Sequence, residues 1–133
     1  MRIVIADDHY AVRRGVCAIL VDNFADVICD EAENGEQAVQ FVLANRPDLV
    51  ILDINMPVLD GFGAAMQIRQ HSMDIPILFF TMHTSEGIVN QTRRMGARGF
   101  VSKDRAGEML VEAVNALLQD KTYFPVVNTQ AGG

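Results

Sequence analysis

Positive charge is in short supply in this sequence. Its 133 residues carry 11 Lys and Arg against 17 Asp and Glu, a formal net charge of −6. Such a surface repels nucleic acid, so direct binding of DNA or RNA by this chain itself is not expected. Cysteine is nearly absent. Cys17 and Cys29 form no CxxC pair and both sit among apolar neighbours. That argues against a disulfide framework or a thiolate metal site and leaves reduced core thiols as the expectation. No apolar run approaches the roughly 18 residues of a membrane helix. The apolar stretch from Met1 to Ala6 is too short for a signal-peptide core. A cytoplasmic protein that does not engage a membrane is therefore expected. Internal repeats and low-complexity segments are also missing.

Apolar residues, by contrast, make up 50% of the chain, enough for one domain with a real core and too many for disorder. They come in short runs: Arg2–Ala6, Val27–Ala32, Leu49–Leu52, Ile77–Thr81 and Gly99–Val101. Most are near-continuous Ile, Val, Leu or Phe, as strands buried on both faces require. Helical periods lie between and after them. They are marked by Val12, Val16, Ile19 and Leu20; by Ala38, Val39, Val42 and Leu43, closed before Pro47; by Phe62, Ala65, Met66 and Ile68; by Ile88, Val89, Thr92 and Met95, with Gly96 as a C-terminal cap; and by Met109, Leu110, Ala113, Val114, Leu117 and Leu118. The seven methionines are expected in the core and on helix faces. Five strands alternating with five helices predict an α/β fold, a parallel sheet covered by helices on both sides.

In such sheets sites form beyond the carboxyl ends of the strands. The residues there are Asp7, Asp8 and His9 after the first strand, Asp53 at the end of the third, Thr81 at the end of the fourth, and Ser102 and Lys103 after the fifth. Three carboxylates close together repel strongly. A hard divalent cation, Mg²⁺ or Mn²⁺, relieves that repulsion with oxygen ligands. It would also offset the repulsion between the acids and an incoming phosphoryl group. An Asp oxygen can then attack phosphorus and form an acyl phosphate. Thr81 and Lys103 stand ready to bind phosphoryl oxygens. Each of these residues alone reads as a solvated strand-end polar group; five at matching strand ends do not. His9, His71 and His83 are expected in surface or loop positions, not as ligands.

The motifs Ile5-Ala6-Asp7-Asp8-His9, Asp53-Ile54-Asn55-Met56-Pro57 with Asp60-Gly61, Thr81-Met82-His83 and Gly99-Phe100-Val101-Ser102-Lys103 resemble the receiver domain of bacterial two-component response regulators. The resemblance runs over about residues 2–120. Asp-Asp-His, Val12-Arg13-Arg14-Gly15 and Lys103-Asp104 resemble its NarL/FixJ subfamily, whose members usually carry a DNA-binding helix-turn-helix domain. The resemblance implies a flavodoxin-like doubly wound (βα)5 fold with strand order 2-1-3-4-5. It implies that Asp53 accepts phosphoryl from a sensor histidine kinase, with Thr81 and Lys103 assisting. It also implies that Asp8, Asp53 and the Asn55 backbone carbonyl ligate Mg²⁺ directly, with Asp7 acting through water. Thr81 and Phe100 would form a switch pair, Phe100 rotating inward on phosphorylation and altering the face of the fourth helix, fifth strand and fifth helix. That face is a candidate for phosphorylation-dependent homodimerisation. Met82 and His83 would modulate access to the site. Asp104 stands where many members have proline, which leaves the isomer of the Lys103–Asp104 peptide open.

Other functions fit less well. A flavodoxin-like cofactor binder needs a donor-rich loop after the first strand, and Asp7 and Asp8 are there instead. A haloacid-dehalogenase-like phosphotransferase needs Asp-x-Asp after its first strand; the candidate here is Asp53-Ile54-Asn55 after the third. A phosphorylation-independent pseudo-receiver normally lacks part of the site, and all of it is present. The receiver is expected to occupy residues 1–121. Residues 122–133 are expected to begin a linker or flexible tail, with a DNA-binding output domain missing from the chain.

Overall fold

The structure, a computed structural model, describes residues 1–71 and 74–125. In chain order the elements are β1 (Arg2–Ala6), α1 (Tyr10–Asn23), β2 (Ile28–Ala32), α2 (Gly35–Asn45), β3 (Leu49–Leu52), α3 (Gly61–His71), β4 (Ile77–Thr81), α4 (Glu86–Arg94), β5 (Gly99–Ser102) and α5 (Ala106–Leu118). A single 3-10 turn, Lys103–Arg105, leads into α5. All strand pairs are parallel and the sheet order is β2-β1-β3-β4-β5, the doubly wound order expected.

Alternation along each strand divides the core in two. Val4, Ala6, Val50, Leu52, Ile77, Phe79 and Phe100 face one side, where α2, α3 and α4 contribute Val39, Val42, Ala65, Ile68 and Val89. Ile3, Ile5, Leu49, Ile51, Leu78, Phe80 and Val101 face the other, against Val16 and Leu20 of α1 and Leu110, Val114 and Leu117 of α5. Both faces being covered, β3 and β4 can be apolar at nearly every position, and every residue in them is buried. β2 lies at an edge. Its Asp30 and Glu31 are tolerated because they meet Arg2 and Arg13 at 3.1 and 3.3 Å.

Local signals set the helix ends. Asn34 caps α2, its side chain accepting from the Gln37 N–H at 2.8 Å, and Ser85 caps α4 through the Ile88 N–H at 3.3 Å. Gly96, just past α4, has φ of +89°, a left-handed geometry that glycine adopts without strain.

The structure differs from the expectations in five respects. β2 starts at Ile28, not Val27, and β5 runs one residue further, to Ser102. Met66 and Met82 are exposed instead of packed, because they fall on the solvent side of α3 and beyond the end of β4; Met73 lies outside the described residues. Leu43 is also exposed, one position off the buried stripe Ala38–Val39–Val42. The chain stays engaged past Lys121. Tyr123 forms a parallel bridge with Gly99; its carbonyl accepts from the Phe100 N–H at 2.9 Å, and its N–H donates to the Arg98 carbonyl at 2.8 Å. Phe124 packs on the cluster that holds Phe100, and the Arg93 guanidinium stands 4.3 Å from its ring centre. Residues 126–133 lie outside the described residues.

Both cysteines are free and half-buried. Burial, reinforced by Cys17, pushes the Cys29 thiol up to about 12, which makes it a poor nucleophile at neutral pH. No helix among the described residues is long and apolar enough to cross a membrane.

Candidate functional site

Parallel pairing brings the carboxyl ends of β1, β3, β4 and β5 to one edge of the sheet. Asp53 follows β3 directly. Its N–H donates to the Ala6 carbonyl at 3.0 Å, which extends the ladder by one residue and turns the side chain into the cleft above. The residue is only 5% exposed. Oδ1 accepts from the Ile54 N–H at 2.7 Å. Oδ2 accepts from Lys103 Nζ at 2.9 Å.

Asp7 extends β1 in the same way, its N–H donating to the Ala32 carbonyl at 3.1 Å. It is 2% exposed. Oδ1 accepts from the His9 N–H at 2.8 Å. Oδ2 lies 2.6 Å from Lys103 Nζ, a close ion contact, but off the line of a hydrogen bond and with no other donor. Lys103 thus stands between two buried acids. Burial lowers the affinity of its ammonium for the proton, but the contacts with Asp7 and Asp53 outweigh that, and its pKa is raised. Replacing Lys103 with Met leaves the two acids facing each other without a cation. The expected cost is about 3 kcal/mol of unfolding free energy in metal-free buffer, read from urea denaturation. A loss under about 1 kcal/mol would show that the ion contacts contribute little.

The cleft holds about 200 Å³ and is lined by Asp8, His9, Asp53, Asn55, Thr81, Met82, His83 and Lys103. Thr81 is fully buried at its floor, its Oγ1 accepting from the His83 N–H at 3.3 Å. The ring of His83 reaches across to the Asn55 side-chain amide. Met82 stands 57% exposed on the rim. Ser102 is not among the lining residues and caps the 3-10 turn, accepting from the Asp104 N–H at 3.2 Å. The Lys103–Asp104 peptide is trans. Phe100 is buried at 1% exposure. Alternation along β5 places it in the same apolar cluster as Phe79, Val89 and Ala97.

The donor set suits a hard divalent cation. One ligand atom each from Asp7, Asp8, His9 and Asp53 can be chosen so that all four lie within 4.8 Å of one another. Three are carboxylate oxygens, and the buried Asp7 Oδ2 lacks a hydrogen bond, which a bound cation or its water would supply. Of the expected site residues, Asp8, Asp53, Asn55, Thr81, Met82, His83 and Lys103 line this cleft and Asp7 lies behind it against Lys103, whereas Phe100 and Ser102 are not among the lining residues.

His9 is exposed in the loop just before α1, as expected, and its Nδ1 lies 3.0 Å from Asp7 Oδ1 and 3.3 Å from Asp8 Oδ1. One residue here was not expected. Arg13 is buried, and its Nη1 donates to the Asp7 carbonyl at 2.7 Å. Arg13, Val16 and Leu20 share one face of α1 at the spacing i, i+3, i+7. An arginine on the apolar stripe is a signal the sequence already carried.

Comparison with known proteins agrees with this geometry. The family pattern described as the response regulator receiver domain matches residues 3–115. The transcriptional regulatory protein DegU of Brevibacillus brevis is 34% identical over 124 residues, covering 93% of this chain and 52% of that protein. The transcriptional activator protein ExaE of Pseudomonas putida is 36% identical, covering 93% and 58%. Among solved structures, a LuxR-family two-component response regulator from an Aurantimonas species superposes with a TM-score of 0.86 at 31% identity, covering 92% of this chain and 87% of that one. The signal receiver domain of the putative response regulator NarL from Mycobacterium tuberculosis gives 0.82 at 32% identity, covering 90% and 97%. The chain spans little more than half the length of the curated relatives it matches.

Proposed function

The chain belongs to the response regulator receiver domain family, and from that premise we propose that it accepts a phosphoryl group on Asp53 from a sensor histidine kinase. The observation that carries the proposal is the setting of Asp53. It is a buried carboxylate held from both sides, by the Ile54 N–H and by Lys103. It lies on the floor of a cleft open to a donor, with Thr81 beside it.

An Asp53 oxygen attacks phosphorus, the phosphorus–nitrogen bond of the donor phosphohistidine breaks, and its nitrogen takes a proton. The product is an acyl phosphate. Lys103 then exchanges its contact with Asp53 for one with a phosphoryl oxygen, and the Thr81 hydroxyl donates to another. Asp8, Asp53 and the Asn55 backbone carbonyl are the residues that would hold Mg²⁺ or Mn²⁺, with Asp7 behind a water. The bound cation would offset the repulsion between the acids and the incoming group.

The new Thr81 contact is the proposed start of the switch. Phosphorylation biases the α4–β5–α5 face toward the conformer with Phe100 inside. With phenylalanine there, packing alone drives the preference. A homodimer on that face, a cytoplasmic location and a DNA-binding output domain beyond this chain complete the reading. The curated relatives are named as a transcriptional regulatory protein and a transcriptional activator protein, and the match covers 52% and 58% of their lengths.

Intact mass after incubation with Mg²⁺ and acetyl phosphate tests the proposal. One metal-dependent phosphoryl adduct, stable in acid and labile in base, is expected; no adduct under these conditions overturns it. Met82 gives a second prediction. Its side chain on the cleft rim narrows the approach, so Met82→Ala is expected to speed both phosphorylation and loss of the phosphoryl group by a few-fold. Unchanged rates for both, followed by mass spectrometry, would remove Met82 from the account.

A further inference from the structure

We propose that Arg13 is a positioning residue for the divalent-cation site, a role that rests on the functional reading above. Arg13 is only 6% exposed, and burying a charge is costly unless the structure compensates it. Part of the compensation comes from Glu31 on β2, 3.3 Å from Nε, and part from Tyr10, whose ring centre is 5.5 Å from the guanidinium carbon. What the charge does in return is grip a backbone atom. Nη1 donates to the Asp7 carbonyl at 2.7 Å.

That carbonyl belongs to the peptide joining Asp7 to Asp8. The other parts of Asp7 are already fixed, the N–H by Ala32 and the carboxylate by the His9 N–H. Arg13 fixes the remaining one, the plane of the Asp7–Asp8 peptide. The orientation of that plane sets where the Asp8 side chain leaves the backbone, and Asp8 is the most exposed of the three acids. Without Arg13 the peptide is free to turn, and Asp8 must be ordered anew each time a cation binds. Residues that orient ligands in this way typically change metal affinity by about 10–100-fold.

The sign of the effect separates positioning from charge. Arg13 is a cation close to an anionic site. By Coulomb's law alone, removing it makes cation binding tighter. A positioning role predicts the opposite. The experiment is Mn²⁺ titration of wild type, Arg13→Met and Arg14→Met, with free Mn²⁺ read by electron paramagnetic resonance and metal-free thermal stability recorded alongside. Arg14 pairs with the same Glu31 but makes no contact with Asp7, so it controls for charge.

Arg13→Met is expected to bind Mn²⁺ about tenfold more weakly than wild type, and Arg14→Met as well as wild type or better. Binding by Arg13→Met within twofold of wild type, or tighter, overturns the proposal even if thermal stability falls. If Arg13→Met does not fold, Arg13→Lys decides by the same measure, because it keeps the charge and loses the two-pronged reach. Wild-type protein that binds no Mn²⁺ overturns the functional reading and this proposal together. Wild-type binding matched by the Arg13 variants overturns this proposal alone.

Discussion

Asp53→Asn is expected to abolish the phosphoryl adduct while leaving the fold in place. The amide retains the shape of the carboxylate but has no anionic oxygen to attack phosphorus. The fold survives because the replaced charge is not the sole partner of Lys103; the ammonium still lies 2.6 Å from Asp7 Oδ2. Removing one of two acids that share a single lysine also relieves repulsion, so the unfolding midpoint is expected to stay close to wild type or rise. Intact mass spectrometry after acetyl phosphate and Mg²⁺ reads the first outcome, and circular dichroism on heating reads the second. An adduct that persists in Asp53→Asn would move the acceptor to another residue. Loss of both adduct and fold would leave the variant silent on chemistry, and Asp53→Glu then serves. That variant keeps the charge but shifts the nucleophile by one methylene, and its phosphorylation rate is expected to fall about a hundredfold.

Gly61→Ala carries the second large effect, on stability. Gly61 opens α3, and its N–H donates to the Ile54 carbonyl at 2.7 Å, so helix and strand end meet with no side chain between them. A Cβ there collides with the Asp53 carbonyl oxygen and comes within 2.9 Å of the Asp53 carbonyl carbon and Ile54 Cα. Every atom it meets is backbone, so no rotamer change makes room. Either α3 lifts from the sheet or the Asp53–Ile54 peptide shifts. The cost is expected to be about 3 kcal/mol, read as a lower urea midpoint with little change in slope. Phosphorylation should slow as well, since the displaced peptide carries the acceptor. A variant within about 1 kcal/mol of wild type with an unchanged rate would mean that the contact relaxes at little cost.

The parts of this molecule that the sequence revealed are those governed by short-range rules. Leu49–Leu52 and Ile77–Thr81 could be read as central strands because burial on both faces demands continuous apolar runs. Asp7, Asp8, Asp53, Thr81 and Lys103 could be grouped because parallel strands end on one side. The order of the strands, by contrast, came through likeness to a family and not from periodicity. Interactions between distant segments were out of reach. Nothing near Tyr123 in sequence announces that it pairs with Gly99. Nor does Phe100 announce that it lies inward, since its position depends on which neighbours α4 and the following chain supply. Arg13 was not read as buried: the sequence marked the first helix by Val12, Val16, Ile19 and Leu20, whereas the structure buries Arg13 with Val16 and Leu20, and its partner, a carbonyl six residues earlier, is a product of the turn between β1 and α1.

The pairing of Tyr123 with β5 also bears on where this domain can be cut. β5 is the last strand of the sheet, and its outer N–H and carbonyl groups would otherwise stand open to any other extended chain. Tyr123 occupies two of those groups, one on each side of Gly99, while Phe124 shields the apolar ground beside them. A fragment ended at Lys121 would keep every strand and helix yet present a bare, partly apolar border, the kind on which proteins stack edge to edge. Ending it after Phe124 keeps the border closed. Those few residues past the last helix therefore act as the sheet's hem.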